Sequence, residues 1–207
     1  MKIIILLLTI ILCASCARPQ TKRETLRDPS FSSPSPSPSP TPEASPSPAP
    51  FEEPAAQRVR LSRAATPLLD KSESRINNIN LAAEKINSYI LAPFEVFSFN
   101  NSVGARTEEK GYEKAATIIN GEKEYDYGGG VCQLATTVFQ AADAAGLKII
   151  ERHNHNKDIG YAESGQDAAV NYDTLDMKFQ NIMNFSIMIA VLVGENEVIA
   201  EIYRTNY

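Results

Sequence analysis

The chain has 207 residues, 25 acidic against 20 basic for a formal net charge of −5, with 13 prolines, two histidines and three cysteines. The charges are well mixed and form no basic stripe, which argues against nucleic acid as a partner. The mild acidity says nothing about a substrate, and the sequence names no protein partner.

Lys2 precedes the apolar run Ile3 to Leu12 and then small residues, the order of a secretory signal. That run is too short for an ordinary transmembrane helix. Its end, Leu12-Cys13-Ala14-Ser15-Cys16, resembles a bacterial lipobox, with Leu12 one position further out than usual and Cys13 in its place. Residues 1–16 are therefore expected to be a signal peptide whose cleavage exposes Cys16 for lipidation, anchoring the protein on the outer face of the cytoplasmic membrane. Residues 17–56 follow as a disordered linker rich in serine and proline, densest at Ser33 to Pro40. Such a segment has too few apolar side chains to fold, and at about 3 Å per residue its Ser-Pro stretch 29–50 alone, extended, would reach roughly 60 Å or more. It is a spacer or a glycosylated stalk.

Residues 57–207 are long enough for one domain with a real core. Ile76, Ile79, Ala83, Ile86 and Ile90 predict a helix stopped by Pro93, and alternation at Phe97 and Phe99 predicts a short strand. Thr117 to Ile119 and Glu122 to Tyr127 flank Asn120-Gly121, a hairpin signal. Val131 to Ala145 reads as a second helix capped by Gly146, and Lys148 to His155 as a strand. Leu175, Met177 and Phe179 alternate, as do Phe185 to Val193 and Val198 to Ile202 around Gly194-Glu195-Asn196. The expectation is an α+β domain with two main helices and a largely antiparallel sheet.

Once Cys13 leaves with the signal and Cys16 carries lipid, Cys132 has no intrachain partner, so it is a buried structural residue or a reactive thiol. It follows Gly128-Gly129-Gly130 at the start of the second helix, where unsatisfied N–H groups and the helix dipole favour thiolate, which points to a nucleophile. Both histidines lie in Glu151-Arg152-His153-Asn154-His155, and on a strand His153 and His155 share a face about 7 Å apart. Cysteine at a helix start, then histidine, then Asp167 is the order found in papain-like and NlpC-type acyl-transfer enzymes. In that chemistry imidazole moves the thiol proton and a third group orients it. His155 or His153 would be the base, His155 being slightly favoured, with Asp167 or Asn154 as the orienter. Amides at Val131 to Gln133 would form an oxyanion hole, with Gln133 assisting, and Gly129, Gly130, Gln133 and Asn154 would border the bound substrate. Arg106 and Arg152 are candidates for a substrate carboxylate. The rival use of these residues is zinc held by His153, His155 and either Cys132 or Asp167, but no second cysteine or HExxH pattern supports it, and neither metal nor other cofactor is expected.

Phe97-Ser98-Phe99-Asn100, Val103-Gly104-Ala105-Arg106-Thr107, Gly111-Tyr112, Gly128 to Gln133, Glu151 to His155, Asp167-Ala168 and Leu175 to Asn181 together resemble the VanW family, collinearly from about Ile76 to the terminus. The family is named for a member of some vancomycin-resistance gene clusters. The resemblance implies a cell-wall setting and, because some members are regarded as L,D-transpeptidases, peptidoglycan stem peptides as partners and the motif cysteine as nucleophile. Two departures stand out: Gln166 replaces the family's usual arginine before Asp167, and Ala105 replaces proline. The remaining alternatives are a non-catalytic wall-binding or accessory protein and a zinc-dependent hydrolase.

The anchor is open to test. Replacing Cys16 with serine should leave an unprocessed precursor on a gel, as should inhibiting the lipoprotein signal peptidase. A Cys16→Ser protein processed and membrane-bound as before would remove the lipobox.

Overall fold

The computed structural model describes residues 58–119 and 122–206. The signal, Cys16, the Ser-Pro segment and the Asn120-Gly121 turn lie outside them. Among the described residues no helix is long and apolar enough to cross a membrane.

The first helix, α1 (Glu73–Ile86), forms on the period of its isoleucines and buries Ile79, Ala82, Ala83 and Ile86. It ends before the sequence pattern does. Asn87 takes extended backbone, Ser88 has φ 63°, and the Ser88 N–H donates to the Ile189 carbonyl at 2.8 Å. Pairing with the sheet thus outcompetes another helical turn, and Ile90 lies exposed in strand β2 (Tyr89–Leu91) instead of extending the buried stripe to Pro93.

Strand β1 (Val59–Pro67) had no counterpart in the sequence reading, because its short and polar side chains hide the alternation. It pairs antiparallel with β9 (Glu197–Thr205), which pairs with β8 (Ser186–Val193), which pairs with β2, in the order β1-β9-β8-β2. The β8–β9 hairpin turns at Gly194-Glu195-Asn196 as expected, closed by the Gly194 N–H donating to Glu197. The second main helix, α3 (Val131–Ala144), packs on β1 and β9 while α1 packs on β8. Between helices and sheet lie Ile79, Ile86, Leu134, Val138, Ile187, Ile189 and Ile202, each contributing roughly 1.5–3 kcal/mol by burial. Gly146, with φ 72°, ends α3 as expected, with its N–H donating to the Asp143 carbonyl.

A second antiparallel sheet has the order β3-β7-β6, from β3 (Val96–Ser98), β7 (Lys178–Gln180) and β6 (Lys148–Glu151). Three predicted strands shorten here. Phe99 opens a short helix, α2 (Phe99–Val103), whose cap Ser98 accepts the Asn101 N–H, so Phe97 and Phe99 are both buried without being alternate strand residues. Leu175 makes only an isolated bridge to Asn171. Strand β6 stops at Glu151, so His153 and His155 lie in a loop and the shared strand face predicted for them does not exist. A separate hairpin, β4 (Lys114–Ile119) with β5 (Glu122–Tyr127), completes an α+β domain whose strands all pair antiparallel.

Buried amides fasten these pieces. Asn78 of α1 accepts the Glu113 N–H and donates to the carbonyls of Glu113 and Gly129, tying the glycine run to the helix. Asn181 donates to the carbonyls of Leu91, Ala92 and Phe185. At Gly129 the backbone passes so close to β4 that a Cβ would lie 2.5 Å from the Ala115 carbonyl oxygen. Gly129→Ala should therefore force the run away from β4 and destabilise the domain by about 1–3 kcal/mol, measured by denaturant unfolding. An unchanged midpoint would show that the contact relaxes freely.

Candidate active site

Cys132 occupies the second position of α3, half-buried, and its thiol donates to the Val170 carbonyl at 3.4 Å. The helix begins there because Gly130, with φ 105°, turns the chain in from β5. The Val131 and Gln133 N–H groups are turned back onto the carbonyls of Gly128 and Gly130, each at 3.0 Å. Of the amides expected to form an oxyanion hole, the one at Cys132 itself has no carbonyl four residues back within the helix.

The segment after residue 165 is laid against α3 by side chains. Thr136 Oγ1 accepts the Ala168 N–H at 3.0 Å and contacts the Ala168 carbonyl, Gln140 Nε2 donates to the Gln166 carbonyl, and the Ala169 N–H donates to the His153 carbonyl at 2.7 Å. This carries buried Asp167 beneath His155. Asp167 Oδ2 accepts the His155 backbone N–H at 2.6 Å and meets His155 Nδ1 at 2.7 Å. With Nδ1 engaged, Nε2 is the nitrogen left for another partner.

The group to which His155 is coupled on its other side is the thiol. Burial pushes Cys132 up, but hydrogen bonding and charge from His155, with a further contribution from Arg106, bring it below its ordinary value. Burial pulls the other way on His155, yet Cys132 and Asp167 raise it. Asp167 is pushed up by burial and brought below its usual range by the hydrogen bonds it accepts from His155. The three groups form a chain in which thiolate, imidazolium and carboxylate stabilise one another.

The other candidates separate. His153 Nε2 meets Glu151 Oε1 at 3.0 Å, and Glu151, held at about 2 by Lys178 and His153, also receives Lys178 Nζ at 2.8 Å. His153 thus belongs to an ion-pair cluster. Arg152 lies over the Phe139 ring and donates to the Asp167 carbonyl at 2.8 Å, a brace for the orienting residue and not an open carboxylate site. Exposed Asn154 lines a cavity beside Cys132, and the orienting bond to His155 comes from Asp167. Gln133 is buried; its Nε2 donates to Pro67 O and Thr66 Oγ1, and its Oε1 accepts from Arg75. It ties β1 to the site, with no amide hydrogen left over for the reacting atoms. Arg106 does border the Cys132 cavity, donating to Asn100 Oδ1 at 2.8 Å. Among the described residues no three histidine, cysteine or acidic side chains are gathered as a metal site.

Two residues that sequence reasoning missed stand here. Arg75 of α1 lines a cavity with Cys132 and His155, and so does Tyr161, which burial and the neighbouring Cys132 keep a protonated phenol. Neither carried a sequence signal, since both reach the site only through tertiary packing.

The coupling fixes a pH test. Iodoacetamide labelling of Cys132 should begin below the ordinary thiol range, near 8.5. In His155→Ala the largest of the opposing contributions is gone while burial remains, so the onset should move up. His153→Ala should leave it in place. Labelling only after denaturation would make the thiol structural.

Residues 74–203 match the family described as VanW like protein. The Bacillus subtilis protein YoaR is 37% identical over 147 residues, covering 71% of this chain and 48% of YoaR. The vancomycin B-type resistance protein VanW of Enterococcus faecalis is 28% identical over 136 residues, covering 63% of this chain and 50% of its own length. The chain spans about half the length of these curated relatives, and no solved structure matches it. Cys132, His155 and Asp167 all fall inside the matched span, and the chain belongs to the VanW family.

Proposed function

We propose that this VanW-family protein is a cell-envelope cysteine acyltransferase acting on peptidoglycan stem peptides, held by a lipid on Cys16 at the outer face of the membrane. The observation that carries the reading is the chain Cys132–His155–Asp167, with the thiol below its ordinary value and His155 oriented through Nδ1. The name of the Enterococcus relative, a resistance protein against an antibiotic, supports an envelope setting.

The reaction has two steps. Cys132 thiolate attacks the carbonyl carbon joining an L-centre to a terminal D-alanine; the C–N bond breaks, and His155 Nε2 gives its proton to the departing amine. The acyl group remains on sulfur as a thioester. An amine of a neighbouring stem then attacks, His155 takes the proton released, and thiolate departs from the new amide. Water in place of the amine gives a carboxypeptidase. The Cys132 amide at the helix start is the donor best placed for the developing oxyanion.

Incubation with muropeptides followed by intact-mass measurement should show an acyl adduct on Cys132. His155→Ala should lower acylation by about 10²–10⁴-fold, as expected for loss of an acid–base group, and Asp167→Asn by less. Wall binding without any adduct in the native protein would make the domain a binding module.

A further inference from the structure

Two cavities meet at Cys132 and His155, one of about 230 Å³ and one of about 470 Å³. Arg75 lines the first and Arg106 the second, each the sole arginine or lysine of its cavity among the described residues. The glycine run seats both. A Cβ on Gly130 would lie 2.9 Å from Arg75 Cγ, and one on Gly128 would lie 2.8 Å from Arg106 Cβ. Arg75 is fixed by bonds to the Ala116 carbonyl and Gln133 Oε1 at 3.2 and 3.0 Å, Arg106 by its bond to Asn100 and by lying over Phe99 and Tyr172.

The charges of Asp176 and Cys132 act on Arg106, but among the described residues neither guanidinium is held in an ion pair. Each keeps one buried nitrogen without a partner, Nε of Arg75 and Nη2 of Arg106. Two nearby acids are turned to backbone: Asp158 and Asp126 accept the N–H groups of Gly160 and Tyr127. A part-buried cation held rigid outside an ion pair carries a desolvation cost that a carboxylate from outside would offset. A guanidinium fork suits a planar carboxylate.

We infer that the cleft recognises a peptide bearing two carboxylates, one on each side of the bond attacked by Cys132, with Arg75 receiving one and Arg106 the other. The inference rests on the acyl-transfer reading for its reacting bond. Arg75 is then a specificity-determining residue beside the nucleophile, and the glycines before Cys132 serve recognition as well as access. A stem tetrapeptide with a free D-glutamyl carboxylate upstream and a free terminal D-alanine carboxylate has this charge pattern.

The test uses the full-length protein and four tetrapeptides: unmodified, amidated at the upstream carboxylate, amidated at the terminus, and amidated at both. Affinity is measured by calorimetry on Cys132→Ala, and acylation by intact mass on the native protein. Each amidation should weaken binding about ten- to a hundredfold, the span for one lost charge-assisted contact. Arg75→Gln and Arg106→Gln, which remove both the charge and the fork, should each abolish the discrimination at one carboxylate and preserve it at the other. Binding indifferent to amidation, or an equal loss for all four peptides in both variants, overturns the two-carboxylate cleft. Carboxylate-dependent binding with no adduct on the native protein overturns the acyl-transfer reading and leaves the recognition standing. The peptide series on the otherwise unaltered cleft decides the matter even if an arginine variant does not fold.

Discussion

The close approach of Gly129 to the backbone of β4 is the contact on which this site is built. Only a residue without a side chain lets the chain pass the Ala115 carbonyl, and Asn78 holds it there by bonding the Gly129 carbonyl from the buried face of α1. One helix, one hairpin and the start of the cysteine helix are thereby locked to one another. Cys132 sits three residues beyond the contact, so its position follows from backbone packing and not from its own side-chain contacts.

From that fixed point the second half of the site is delivered by a different device. Thr136 and Gln140 on α3 grip the irregular segment 166–170, and this places Asp167 under His155. Cys132 and Asp167 are thus referenced to the same helix, whereas His155 comes from a loop braced by Arg152 and by the backbone bond between Ala169 and His153. A separate polar cluster lies behind this face: Asp176 accepts from Ser98 and Asn100, and Asn100 donates to the carbonyls of Asn171 and Leu175. That cluster shapes the wall of the larger cavity and fixes Arg106. Several motif residues of the domain are fastenings of this kind, their hydrogen bonds made to backbone.

Electrostatically the site is a balance between burial and pairing. Burial alone would make the thiol weak and the imidazole neutral; the contacts among Cys132, His155 and Asp167 outweigh it in all three groups. Glu151 and Lys178 form a second pairing centre that occupies His153, which gives the two histidines of one motif different roles.

The sequence by itself determined the elements with strong periodicity: α1, α3 and the β8–β9 hairpin follow from apolar spacing and a glycine-containing turn. It also singled out Cys132 at a helix start and carried the family motifs, because these are local patterns. It misplaced the end of α1 and the end of β6, where pairing across the sheet, not local propensity, decides where an element stops. The His153–His155 alternation failed for that reason. Edge strand β1 escaped notice because its few apolar side chains are short. Only the tertiary structure decided that His155 and not His153 faces the thiol, that Arg152 and Gln133 are braces, and that Arg75, 57 positions before the cysteine, lines the same cleft. Those choices depend on contacts between segments far apart in the chain, which no spacing within one segment encodes.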